Sequence, residues 1–124
     1  MAEVGRPDRR RLGAAGERVA ARYLRRRGYR ILHRGYRCPL GELDLVAVRD
    51  ATLVFIEVKT RRSRAFGPPE AAVTPAKQAK LRRLGEYFLT RHAGDWKAVR
   101  FDVLAVELRP WRPARVRHVE NALP

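Results

Sequence analysis

Between residues 41 and 60 the chain reads GELDLVAVRDATLVFIEVKT, a stretch whose carboxylates and lysine are spaced so that folding could gather them. Apolar runs rich in Val, Leu and Ile flank the polar segment Arg49-Asp50-Ala51-Thr52, the pattern of a β-hairpin. With Asp50-Ala51 as the tip, Arg49 faces Thr52, Asp44 faces Glu57, and Glu42 faces Lys59. Directly opposite side chains share a face, because the strand period is two. One face then reads Leu43, Leu45, Ala47, Val54, Ile56 and Val58, wholly apolar and suited to pack beneath a helix. The other carries Val46, Val48, Leu53 and Phe55 near the turn and Glu42, Asp44, Glu57 and Lys59 at the far end. A three-residue loop in place of the two-residue tip would turn Asp44 away from Glu57.

Two carboxylates placed directly opposite have Cβ atoms roughly 4.5–5.5 Å apart, and like charges so placed are destabilising. Their proximity raises one of the two pKa values unless a cation lies between them. A hard divalent cation resolves the conflict, and Mg²⁺ (or Mn²⁺) takes one or two protein carboxylates together with water and phosphate oxygens. Lys59, on the same strand face as Glu57, could then orient or stabilise whatever the cation activates. The competing reading is a solvated hairpin face. The clustering of the charges at one end of an otherwise apolar face favours a site.

The elements that must position these residues follow from the rest of the chain. A helix is expected from Asp8, as N-cap, to Arg27, burying Leu12, Gly16, Val19, Ala20, Tyr23 and Leu24, with residues 1–8 a tail. Arg18, Arg22 and Arg25 form a basic ridge on its opposite side, flanked by Arg26. Glu17 falls at the edge of the apolar stripe, beside Leu24 and Gly13. Its neighbours at three and four residues are Gly13, Ala14, Ala20 and Ala21, so no intrahelical ion pair explains it. Glu17 is therefore a candidate third acid. Gly28 ends the helix, and Tyr29 to Arg37 reads as a strand leading through Cys38-Pro39-Leu40-Gly41 into the hairpin. His33 reads as a surface histidine, because His92 and His118 are distant in sequence and share no metal-type spacing with it.

After Lys59 the chain becomes a polar loop through Glu70, containing Arg61, Arg62, Arg64 and Phe66 and broken by Gly67-Pro68-Pro69. Its position at the charged hairpin end suits gripping a nucleic-acid backbone, and a solvated connection with incidental arginines is the competing reading. Thr74-Pro75 is a strong helix start. The helix runs to about Arg91, buries Leu81, Leu84 and Phe88, and carries Lys77 and Lys80 beside that stripe. These lysines could reach the site or simply snorkel from a buried edge. Lys97 to Leu108 reads as a final strand, and residues 109–124 as a Pro-interrupted tail with a short edge strand at Val116–Val119. The folded body is expected to span residues 9–108.

Composition restricts the partners. The 124 residues carry 28 basic and 13 acidic side chains, a formal net charge of +15, which points to a polyanion and above all to nucleic acid. All but Lys59, Lys77, Lys80 and Lys97 of the basic residues are arginine; genome composition or thermal adaptation could favour Arg over Lys, though not base over acid. Cys38 is the single cysteine, which excludes an internal disulfide and a cysteine-cluster metal site. No segment approaches the ~20 apolar residues of a membrane span, and MAEVGRPDRRRLG lacks the apolar stretch of a signal peptide. The expectation is a cytoplasmic domain without membrane contact.

The order helix, three strands, helix, strand, with Glu17 on the first helix, Asp44 on the second strand and Glu57-Val58-Lys59 on the third, resembles the PD-(D/E)xK nuclease superfamily of restriction-endonuclease-like fold. More closely, the segments GELDLVA, FIEVKTRR, FGPPEAAVTPAK and FDVLAV, with Gly13 to Glu17, Ala20 and Leu24, resemble the YraN-type family of uncharacterised bacterial proteins. Archaeal Holliday-junction resolvases are similar at the same positions. Leu43 stands where the nuclease motif has proline. The resemblance implies an α/β fold with an αβββαβ core and a mixed four-stranded sheet flanked by helices. It implies a Mg²⁺-dependent endonuclease for branched or structured DNA, with Asp44, Glu57, Glu17 and the Val58 carbonyl around the metal and Lys59 at the water or phosphate. Arg61, Arg62, Arg64, Arg18, Arg22 and Lys77 would hold flanking phosphates. A twofold homodimer would suit the cutting of two symmetric strands. The alternatives are a non-catalytic nucleic-acid-binding protein, accessory to DNA repair or uptake, and a ribonucleoprotein component.

Overall fold

The computed structural model describes residues 5–62 and 73–123. Helix α1 (Gly5–Arg26) is followed by strands β1 (Arg30–Cys38), β2 (Gly41–Arg49) and β3 (Thr52–Arg61), helix α2 (Pro75–Arg91), and strands β4 (Ala98–Glu107) and β5 (Arg115–Val119). The strands form one mixed sheet in the order β1-β2-β3-β4-β5. β1, β2 and β3 pair antiparallel, as their short connections require, and the α2 crossover makes β3 and β4 parallel. The core is thus the expected αβββαβ arrangement, and the edge strand expected at Val116–Val119 joins its four strands to make a five-stranded sheet. β5 pairs antiparallel with β4 from Val103↔Val119 to Glu107↔Arg115. Beyond it, the Ala122 amide donates to the Phe101 carbonyl and Leu123 is buried, so the segment read as a tail closes one edge of the domain.

Helix α1 begins at Gly5, ahead of the expected N-cap Asp8, which lies inside the helix. Pro7 does not prevent this, because the first turn has no intrahelical use for the missing N–H. At the other end Gly28 takes φ 87°, its amide donates to the Arg25 carbonyl, and the Tyr29 amide donates to the Leu24 carbonyl. This left-handed cap turns the chain directly into β1. Helix α2 starts as its sequence dictates: the Thr74 hydroxyl accepts from the Lys77 amide at 3.2 Å, with Pro75 in the first helical position.

The two helices cover opposite faces of the sheet. Ala20 and Leu24 of α1 pack on Leu45, Ala47, Val54, Ile56, Leu104 and Val106. Leu81, Leu84 and Phe88 of α2 pack on Val46, Leu53, Phe55 and Val103. Glycines set the closeness of both contacts: a Cβ at Gly16 would overlap the Thr60 side chain of β3, and one at Gly85 would meet the Phe101 ring at 2.7 Å. No helix among the described residues is long and apolar enough to cross a membrane.

Candidate active site

The hairpin turns as its sequence predicts. Asp50 and Ala51 have φ of 52° and 62°, the left-handed pair of a two-residue turn, and Arg49 pairs with Thr52. The ladder then runs in register to Leu45↔Ile56 and stops. Beyond that pair the Val58 amide, which regular pairing would give to a main-chain carbonyl, donates instead to Asp44 Oδ2 at 2.8 Å. Val58 therefore meets Asp44 through its N–H. Opposite Asp44, between the pairs Arg34↔Leu45 and Tyr36↔Leu43, Gly35 of β1 takes φ 67°. The alternation of faces breaks here. Leu43, expected beneath α1 with Leu45, joins the core under α2 instead. β3 also continues to Arg61, so Arg61 belongs to the strand rather than the loop.

At this opened end the acids gather. Glu57 is 8% exposed, and its Oε2 receives Lys77 Nζ at 2.8 Å and Lys59 Nζ at 3.4 Å. Burial pushes the Asp44 carboxyl up to about 7, and the negative charge of Glu57 adds to this; the Val58 amide opposes it, while Glu17 and Glu42 raise it further. Glu17 is brought here by the close seat of Gly16 on Thr60. Its own pKa is raised by burial and by Glu42 and lowered by Arg34. Glu17 thus acts on Asp44 as a neighbouring charge. Glu42, expected opposite Lys59, lies 3.7 Å from Arg37 of β1.

Among the described residues, no three Asp, Glu, His or Cys side chains converge as a ready-made metal cluster. What the site offers is a pair, Asp44 and Glu57, with further acids nearby and two ammonium groups on one carboxylate oxygen. A half-buried carboxyl held near 7 by burial and by its acidic neighbours is one that a divalent cation with oxygen ligands would relieve, and the two carboxylates match what Mg²⁺ takes from protein.

The basic residues surround this centre unevenly. Arg18, Arg22, Arg25 and Arg26 are exposed along α1 and, with Arg34 of β1, line an open groove floored by Ala21. Among the described residues no ion pair or side-chain hydrogen bond holds Arg18, Arg22, Arg25 or Arg26, while Arg34 acts electrostatically on Glu17. A second open groove, sharing Arg18, is lined by Arg11 and Arg62 with Leu12 and Leu108. Ser63 to Ala72, and with them Arg64 and Phe66, lie outside the described residues.

Two groupings escaped the sequence reading. Buried Asp102 accepts from Arg100 Nε and Nη2, each at 2.9 Å, and from the Asn121 amide at 2.9 Å, and lies 2.7 Å from His118 Nε2. Arg100 also donates to the Tyr29 hydroxyl at 2.7 Å. Burial alone would raise the Asp102 pKa; the His118, Arg100 and Asn121 contacts outweigh it and hold the carboxyl below its ordinary value. The signal available was an acid at an inward position of an apolar strand. The second grouping corrects the reading of His33: its ring lies 5.3 Å from that of His92 and 5.5 Å from Phe88, half-buried rather than on the open surface. Sequence distance said nothing about a strand and a helix end that the fold lays side by side.

Residues 16–106 match the model of the Uncharacterised protein family UPF0102. The chain belongs to this family. UPF0102 proteins are similar to it over nearly their whole length: one from Pelobacter propionicus is 46% identical over 122 residues, covering 96% of this chain and 86% of the relative. One from Beutenbergia cavernae is 52% identical over 110 residues, 89% and 93% of the two chains. One from Moorella thermoacetica is 50% identical over 115 residues, 92% and 96%. UPF0102 is the YraN-type family that the segments GELDLVA and FIEVKTRR resemble, and its matched span runs from Gly16, beside Glu17, to Val106 of β4.

Proposed function

We propose that this UPF0102 protein is a Mg²⁺-dependent endonuclease that hydrolyses phosphodiester bonds in branched or otherwise structured DNA. The observation that carries the reading is the Asp44–Glu57 pair at the opened hairpin end, with Lys59 on the same carboxylate, inside a chain of net charge +15. Simple binding of a polyanion gives no reason to bury acids in a basic protein. Asp44 and Glu57 would hold the cation, with Glu17 adding negative charge behind them. Bound there, Mg²⁺ or Mn²⁺ would supply charge neutralisation and Lewis acidity at the scissile phosphate. Lys59 places a positive charge where negative charge develops in the transition state. The arginines of the α1 groove, together with Arg62, hold flanking phosphates and give affinity without reading sequence. The preference for branched DNA rests on the likeness to the archaeal resolvases at Glu17, Asp44, Glu57 and Lys59.

A second reading has its own support. Glu57 is already engaged by two lysines, and no third acid completes a metal cluster among the described residues, which suits a non-catalytic nucleic-acid-binding protein. A cleavage panel separates the two. Four-way junctions, flaps, duplex and single strands, DNA and RNA, are incubated with Mg²⁺, Mn²⁺ or EDTA. Metal-dependent cutting of branched DNA is the expected result. Binding to the same substrates with no cutting under any condition would give the second reading.

A further inference from the structure

Lys77 comes to the site from the first turn of α2, the helix that covers one face of the sheet, and it makes the shortest ion pair there: Nζ lies 2.8 Å from Glu57 Oε2, against 3.4 Å for Lys59. Glu57 is nearly buried, so its charge needs a cation, and an ammonium group on a four-carbon stem can reach it and leave again. Lys77 is itself only half-buried, with 36% of its side chain exposed, so the withdrawn ammonium has solvent to return to. Lys59 lacks this freedom of origin, since it stands on the same strand two residues from Glu57.

We propose that Lys77 is the resident counter-cation of Glu57, displaced when a divalent cation binds the carboxylate pair and thereby freed to meet the phosphate of the bound nucleic acid. The inference rests on the metal reading of Asp44 and Glu57 given above. The exchange conserves the compensation of the buried carboxylate: one cation leaves Glu57 as another arrives, and no buried charge is left unpaired in either state. It also explains how the metal-free chain folds with its acids together. Because the same ammonium serves the carboxylate in one state and the phosphate in the other, metal and nucleic acid bind with positive coupling through Lys77.

The test uses Mn²⁺ alone, titrated calorimetrically into the full-length parent, Lys77→Met and Lys80→Met. Lys80 is exposed, lies one helical turn further along α2 and carries the same charge, so its variant controls for the general field of the protein. Lys77→Met should bind Mn²⁺ about tenfold more tightly, the equivalent of ~1.4 kcal/mol, whereas Lys80→Met should stay within about twofold of the parent. Affinity for a junction in EDTA should be close to the parent's in Lys77→Met, because in that state the lysine is on Glu57. Should Lys77→Met fail to fold by circular dichroism, Lys77→Gln, which keeps a donor without the charge, makes the same measurement. A parent that binds Mn²⁺ and a Lys77 variant that binds it equally or more weakly would overturn the exchange and leave the metal site standing. If the parent and both variants bind no Mn²⁺, the metal site falls, and the exchange with it.

Discussion

Asp44→Asn keeps the size of the side chain and an oxygen able to accept from the Val58 amide, while removing the charge that burial and three acidic neighbours oppose. The sign of the effect follows from the direction of the shift. The folded chain holds the Asp44 proton up to about 7, while the unfolded chain releases it near 3.8. The stability that the Asp44 proton contributes is therefore full below about the unfolded value, is lost as pH rises through about 7, and does not change outside that window. At ~1.4 kcal/mol per pH unit the interval bounds the effect at about 4 kcal/mol; the solvent that reaches a half-buried group reduces it to about 2 kcal/mol. The Asp44→Asn variant has no such window, because its amide does not titrate. Urea denaturation of parent and variant in EDTA, at pH values from 4 to 8.5, should show the variant's advantage growing steadily and levelling above pH 7. An advantage that is constant across the range would refute the reasoning. So would a parent that gains on the variant as pH rises.

Three further expectations concern the scaffold and the groove. Gly16→Ala forces a Cβ into the Thr60 side chain and lifts α1 from β3, which should cost about 1–3 kcal/mol in chemical denaturation; unchanged stability would show that the helix is not seated as described. Asp102→Asn leaves Arg100 and His118 without their shared carboxylate and should cost about 3–5 kcal/mol, a loss under 1 kcal/mol contradicting a clamp between β4 and β5. DNA affinity should fall linearly in a plot of log K against log salt, with a slope of about 0.9 per phosphate contacted, and Arg18→Ala and Arg22→Ala should each lower that slope by about 0.9. A slope unchanged in both variants would remove the α1 groove from the interface.

Where local rules decide the outcome, the fold could be read from the chain. The tip at Asp50-Ala51, the cap at Gly28 and the Thr74-Pro75 start each depend on a few adjacent residues, and all three stand where the sequence puts them. The burial of Leu81, Leu84 and Phe88 follows from helical periodicity alone. Leu43 shows where such reasoning stops. Strict alternation assigns it to the face of Leu45, but the ladder opens at Asp44, whose side chain takes a main-chain donor, and the face changes within two residues. The contact between Lys77 and Glu57 was foreseeable only as a reach, because nothing in the sequence fixes where the first turn of α2 stands relative to the end of β3. The Asp102 network depends on how β5 pairs with β4 and on the residues after it; the edge strand itself was legible, but nothing in the Pro-interrupted segment fixed its partner or register.

The central claim is that Asp44 and Glu57 do chemistry rather than hold the fold together. It is tested most directly by measuring junction cleavage in Mg²⁺ and junction affinity in EDTA for the parent, Asp44→Asn and Glu57→Gln. The account predicts that the parent cuts, that neither variant cuts, and that both bind the metal-free junction at least as tightly as the parent, because Glu57→Gln removes a carboxylate near the phosphates and Asp44→Asn removes one that is charged only above about pH 7. An Asp44→Asn protein that cuts as well as the parent would contradict it.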